Sequence, residues 1–285
     1  MDFGLLFGSV LIDTCKNIYY NQFSRRELKT NRDAVLFNAV CGVGAVAFLL
    51  CTGCGLKISL FSLGMAFAFA VVTAAAQYCS LMSMSAGSMS YSVLFTYLGM
   101  LIPTLFGVVV YGQPVHLQQL VGFLLMLVTL VLGANVKKGE PINRRWLCFA
   151  LGSFVMWGLV GVIQQIHQKS AHAGERSVFL LWAFIFLTAL FAGLAGRMPR
   201  GESRYRLKSK ATLPSLVSGV LIGAINWINL YLSGRLPSIV LFPILNGGVI
   251  VLSGLAARVV FREKLTRSQY AGIAIGIAAI CLLGV

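Results

Sequence analysis

Stretches of about twenty consecutive apolar residues recur from one end of this chain to the other, and they limit what it can fold into more than any other feature. A helix of that length reaches across a hydrocarbon core of roughly 30 Å. No water is on hand in that core for backbone N–H and C=O groups, so a crossing segment must be a helix or a strand of a closed barrel. The runs here are long and continuous and lack the alternation of barrel strands. The expected fold is therefore all-α, a polytopic membrane protein with ten transmembrane helices. These are placed at about 3–22, 33–54, 60–84, 88–111, 116–135, 146–167, 176–196, 212–234, 237–260 and 268–285. Composition agrees, with 58% hydrophobic and only 11% charged residues and a mean hydropathy of +0.85. Soluble domains carry about 25% charged residues. The first run is not read as a cleaved leader. It opens on Asp2 rather than a basic region and continues into Asp13 and Lys16 without a small-residue cleavage site.

The net charge of +15 is distributed unevenly. The segments joining spans 1–2, 5–6, 7–8 and 9–10 hold Arg25, Arg26, Lys29 and Arg32; Lys137, Lys138, Arg144 and Arg145; Arg197, Arg200, Arg204, Arg206, Lys208 and Lys210; and Arg258, Arg262, Lys264 and Arg267. The other side has Lys57, Lys169, Arg176 and Arg235. Positive charge gathers on the cytoplasmic face of membrane proteins. The asymmetry therefore predicts cytoplasmic placement for the basic connections and external termini, in a multi-pass protein of the cell membrane. The basic residues are read as topology signals and contacts to the anionic lipid bilayer, with no nucleic acid involved. Of seven cysteines only Cys51 and Cys54, in CTGC, have ligand-like spacing. A single CxxC without a second pair or a nearby His gives no metal site, and no cofactor motif is present.

The chain reads as two halves, 1–138 and 139–285, of five spans each. Setting residue n over n + 150 brings YGQPVHLQQLVGFLL (111–125) over FREKLTRSQYAGIAI (261–275), with Gln119 on Gln269 and Gly122 on Gly272. Ser83 then falls on Ser233 and Ser88 on Ser238, while FGSV (7–10) matches LGSF (151–154) at an offset of 144. An odd number of spans per half forces the second half to insert upside down. Such inverted repeats are common in secondary transporters.

On these residues the chain resembles the drug/metabolite transporter superfamily, EamA-type. Its best local match is LPSIVLFPILNGGVIVLSGLAARVVFREKLTRSQYAGIAIGIAAICLLGV, 236–285, where Pro237, Glu263, Leu265, Gln269 and Gly272 occupy family positions; Trp157-Gly158 fits the usual start of a half. The resemblance implies ten helices around a central cavity, with spans 5 and 10 peripheral and cytoplasmic termini, opposite to the charge reading. Two positions depart from the pattern. Asp13-Thr14 stands where span 6 has Trp157-Gly158, and Gln113 stands where the second half has Glu263.

Candidate site residues come from polar side chains at helical spacing inside apolar spans. A charge at mid-membrane costs roughly 2.5–3.5 kcal/mol on insertion scales and faces a cavity or a partner. Asp13, Lys16, Asn17 and Tyr20 share one face of span 1. Asp13 is the expected coupling residue, with a structural Asp13–Lys16 pair as the competing reading. Span 6 adds Trp157, Gln164 and Gln165, span 8 adds Asn226, Trp227 and Asn229, and span 3 adds Gln77. Spans 4 and 9 add Tyr91, Tyr97 and Asn246. Pro103, Pro243 and Gly247 are candidate hinges, because proline removes a helical hydrogen bond.

These features fit a secondary active transporter, monomeric or homodimeric. It would move a small polar organic metabolite (amino-acid-like, zwitterionic or cationic) by alternating access, coupled to protons or exchange. A lipid or lipid-linked-solute flippase and a non-transporting membrane partner subunit are the alternatives. An enzyme is not expected. HExxH, P-loop, GxSxG and paired intramembrane carboxylates are missing, and His116, His167 and His172 are not spaced as ligands.

Overall fold

A computed structural model describes the backbone of residues 2–27, 30–53, 55, 57–87, 89–133, 143–199, 212–259 and 265–284; the side chains of 18–27, 89–90 and 257 are outside the description. Every regular element among the described residues is helical, as the apolar runs require. The helices are α1 (Asp2–Glu27), α2 (Asn31–Cys51), α3 (Leu60–Ala86), α4 (Met89–Leu98), α5 (Leu101–Tyr111), α6 (Leu117–Gly133), α7 (Arg144–Lys169), α8 (Arg176–Arg197), α9 (Thr212–Ser233), α10 (Ser238–Val259) and α11 (Arg267–Leu283). A 3-10 turn, Ala173–Glu175, precedes α8. Among the described residues, seven segments are long and apolar enough to cross a membrane: α2, α3, α4 with α5, α7, α8 with its leading turn, α9 and α10. At 17 residues α6 and α11 are shorter, and α1 is long but diluted by the polar residues of its C-terminal half.

The fourth predicted span is broken into α4 and α5, and Pro103 explains the break. Proline has no N–H for the carbonyl four residues earlier, and its ring crowds that carbonyl. That carbonyl belongs to Gly99. It accepts instead from Ile102 N–H, while Gly99 and Met100 donate to Thr96 and Tyr97 in tight three-residue turns. At Pro243 no break results; α10 runs unbroken from Ser238 to Val259.

Two compact units are present. One comprises Met1–Thr14, Ala75–Gln165 and Leu232–Val285. In it α6 lies along α11: Gly122 faces Leu283 and Ala279, Gly272 faces Leu132, and Gly276 faces Thr129. Gln119 and Gln269, paired in the sequence, play the same local role. Each side-chain oxygen accepts from the backbone N–H three residues back, of His116 and Thr266, at the start of its helix. The other unit comprises Cys15–Ala74 and Ile166–Tyr231. Its α2 and α9 meet backbone to backbone. A Cβ on Gly219 would overlap the Cys41 carbonyl, and one on Gly44 would overlap the Leu216 carbonyl. Small residues let helices approach this closely where lipid supplies no hydrophobic drive. Each unit draws on both sequence halves. The 138/139 boundary between halves lies outside the described residues.

Candidate functional site

In the first unit the α4–α5 break borders a cavity. Its volume is about 280 Å³, and it is walled by Val93 and Tyr97 of α4, Thr129 and Gly133 of α6, Ile250, Val251, Ser253 and Gly254 of α10, and Leu265, Gln269, Gly272 and Ile273 on and beside α11. The wall is mostly apolar with a few polar groups, the usual make-up of a small-molecule site. Tyr97 is the one candidate site residue that lines it, and its hydroxyl lies within electrostatic range of the half-buried Asp13 carboxylate of α1. Ser253 and Gln269 were not among the expected site residues; Gln269 starts span 10, which the resemblance makes peripheral, and Ser253 lies on span 9 two turns beyond Asn246.

In the same unit, α3, α4 and α7 share a hydroxyl cluster. Ser153 Oγ lies 2.7 Å from Ser80 Oγ and 2.8 Å from Thr96 Oγ1. Trp157 Nε1 donates to Ser80 Oγ at 3.0 Å, so the polar edge of that ring is held by the bundle itself. Gln77, one turn before Ser80, has a buried Oε1 with no hydrogen-bond partner among the described residues. An unsatisfied buried acceptor in a native fold calls for an explanation, and an open ligand contact is one.

Other candidates turn out to pin helices together. Gln165 is fully buried. It donates from Nε2 to the Pro103 carbonyl at 2.7 Å and accepts from Ser238 Oγ at 2.8 Å, joining α5, α7 and the start of α10. Gln113 completes this knot, its Oε1 accepting from Ser238 N–H at 2.7 Å. An amide oxygen caps α10 here as a carboxylate would, which accounts for Gln113 where the other half has Glu263; Glu263 itself lies outside the described residues. Asn246 donates to the Phe242 carbonyl of its own helix, and Gly247 sits against Met126. Tyr91 packs edge-on to Trp146, whose Nε1 donates to Ser92. Gln164 is buried on α7.

The second unit holds the remaining candidates. Lys16 and Asn17 are half-buried on α1, and the side chain of Tyr20 lies outside the described residues. Asn226 donates to the Ile222 carbonyl of α9, and Asn229 is half-buried one turn on. Trp227 stacks parallel to Tyr231 with centroids 6.2 Å apart and donates from Nε1 to Ser177 Oγ. The Arg176 guanidinium lies 5.4 Å from the Trp227 ring and 4.9 Å from that of Tyr231. The sequence suggests Trp227, together with Trp157, as a platform for a cationic solute; in the fold the protein's own Arg176 already lies over the Trp227 ring.

Beside them stands a network that sequence spacing does not reveal. Glu175 Oε2 accepts from Ser59 Oγ at 2.6 Å and from Ser59 N–H at 3.1 Å, capping α3 from the α7–α8 turn. The Ser59 hydroxyl, then that of Ser62, hold the Glu175 carboxyl down to about 2. A carboxylate with a lowered pKa stabilises the fold above its ordinary value near 4.5, and this contribution is lost as pH falls towards 2. Ser59→Ala should therefore flatten the acid limb of a thermal-stability profile between pH 4.5 and 2 and leave the neutral limb's shape unchanged.

Apolar helices, one segment interrupted beside a cavity, and polar side chains within apolar spans are features that membrane transporters share. Residues 144–285 match the EamA-like transporter family, and the chain belongs to the drug/metabolite transporter superfamily. A solved structure described as "Crystal structure of protein" shares the fold, with a TM-score of 0.76 at 14% identity over 98% of this chain and 94% of that one. No curated protein sequence matches the chain.

Proposed function

We propose that the protein is a secondary active transporter that moves a small polar organic metabolite, amino-acid-like, zwitterionic or cationic, across the cell membrane by alternating access. The observation that carries this reading is the cavity at the α4–α5 break, with Tyr97 on its wall and the Asp13 carboxylate in range. Discontinuous helices offer free backbone groups at the depth where solutes bind. The open acceptor of Gln77 supports the same region. Asp13 is the coupling residue of this reading, as the carboxylate within range of the cavity-lining Tyr97. The ten-span inverted repeat belongs to the proposal too, supported by the matched roles of Gln119 and Gln269. So do the external termini, which rest on the distribution of basic residues.

The test is a thermal-shift screen of the purified protein against amino acids, polyamines, quaternary amines, sugars and nucleobases at pH 6 and pH 8, with Asp13→Asn alongside. A ligand at 100 times its Kd adds about 2.7 kcal/mol of stability. The expected outcome is a pH-dependent stabilisation of the wild type that Asp13→Asn abolishes. Equal stabilisation of both proteins would remove Asp13 from the site, and no stabilising compound in any class would overturn the metabolite reading.

A further inference from the structure

His167 is fully buried at the C-terminal end of α7. It stacks on Phe179 of α8, centroids 4.2 Å apart. Both ring nitrogens are engaged: Nε2 lies 3.1 Å from Ser62 Oγ, and Nδ1 lies 3.1 Å from Gln168 Nε2. An amide nitrogen only donates, so Nδ1 is the acceptor and the ring's single proton sits on Nε2. That proton points at Ser62 Oγ. The Ser62 hydroxyl can then donate onward, and it lies close enough to Glu175 to help keep that carboxylate ionised. The result is a directed chain from a buried imidazole, through one hydroxyl, to a carboxylate on the α7–α8 turn. The charged or titratable groups acting on the ring are Glu175 and His172, both from that turn; α3 offers it Ser62 and α8 offers it Phe179. His172 Nδ1 in turn lies 3.7 Å from Glu175 Oε1 and its ring stacks on Phe61.

We propose that His167 is a buried proton-binding site wired through Ser62 to Glu175. On the transporter reading above, on which its role in coupling rests, it is a second coupling position besides Asp13. The step is simple. A proton from water adds to Nδ1, the Gln168 amide turns to present its oxygen, and no other bond changes. The new positive charge faces the Glu175 carboxylate across Ser62. Release reverses the step at Nδ1 or passes the Nε2 proton along Ser62 to Glu175. An imidazole needed only for packing requires neither a donor aimed at Nδ1 nor a carboxylate behind its other partner.

The chain has three histidines, which makes a direct measurement practical. Imidazole nitrogen NMR of the whole protein in lipid nanodiscs reads tautomer and protonation ring by ring. His167→Gln assigns the resonance. If that variant does not fold, His116→Gln and His172→Gln assign it by elimination. The expected result is an Nε2–H ring at pH 8 that converts to imidazolium on acidification. Its midpoint should fall by about one pH unit in Glu175→Gln, where the facing charge is lost, and in the same direction in Ser62→Ala. A ring that stays neutral over the whole pH range in which the protein remains folded, an Nδ1–H tautomer, or a midpoint indifferent to both variants would overturn the proposal. The measurement needs no substrate, so it fails or succeeds separately from the ligand screen that tests the transporter reading.

Discussion

Gly219→Ala should be among the most damaging single-methyl additions this chain can suffer. The added Cβ falls on the Cys41 carbonyl, a backbone atom of α2 that no rotamer change can move aside. Relief requires α2 and α9 to separate, which also loosens Gly44 against Leu216 and Gly223 against Ala45. Overpacking a close-packed interior costs typically 1–3 kcal/mol, more when backbone must shift, and about 3 kcal/mol is expected here. Gly193→Ala on α8 is the matched control. Nothing stands within 4 Å of its new Cβ, and alanine is the better helix former by up to about 1 kcal/mol. Unfolding in mixed micelles, followed by denaturant titration, should separate the two variants by several kcal/mol in opposite directions. Equal stabilities would mean that the α2–α9 contact is not load-carrying in the native fold.

Gln165→Leu should come second. The volume is nearly kept, but the Pro103 carbonyl and the Ser238 hydroxyl both lose their partner at a fully buried position. Polar contacts between membrane helices average only about 0.6 kcal/mol, because the unfolded chain finds other partners. Leaving a buried group unpaired costs about 1–3 kcal/mol. With two groups abandoned at once, the second magnitude governs and about 2–4 kcal/mol is expected. A double-mutant cycle checks the mechanism: Ser238→Ala should cost less in the Gln165→Leu background than in the wild type. Strict additivity would show that the two side chains act independently.

The helix positions were legible because each apolar run has to satisfy its own backbone, and the described helices fall on the ten expected stretches. The break in the fourth was half legible. Pro103 was visible, but its effect appears at Gly99, four residues earlier, where the freed carbonyl lies. Side-chain roles were much harder to read. Gln165 and Gln77 look alike in sequence, yet one is tied to a proline carbonyl on α5 and the other has an open acceptor. What separates them is the neighbouring helix, 62 residues away in the first case. The His167 network was hidden for the same reason, since Ser62 meets His167 across 105 residues of sequence and Ser59 meets Glu175 across 116. Local spacing carries no trace of such meetings.

The glycine seam between α2 and α9 also has a mechanical meaning. Two helices separated by side chains can slide, because rotamers on either side yield in turn. Two helices resting carbonyl on Cα at Gly44 and Gly219 have no such cushion. The pair behaves as one stiff girder, and its compliance is close to that of a single thicker helix. Whatever displacement accompanies solute passage, strain cannot be taken up along this line.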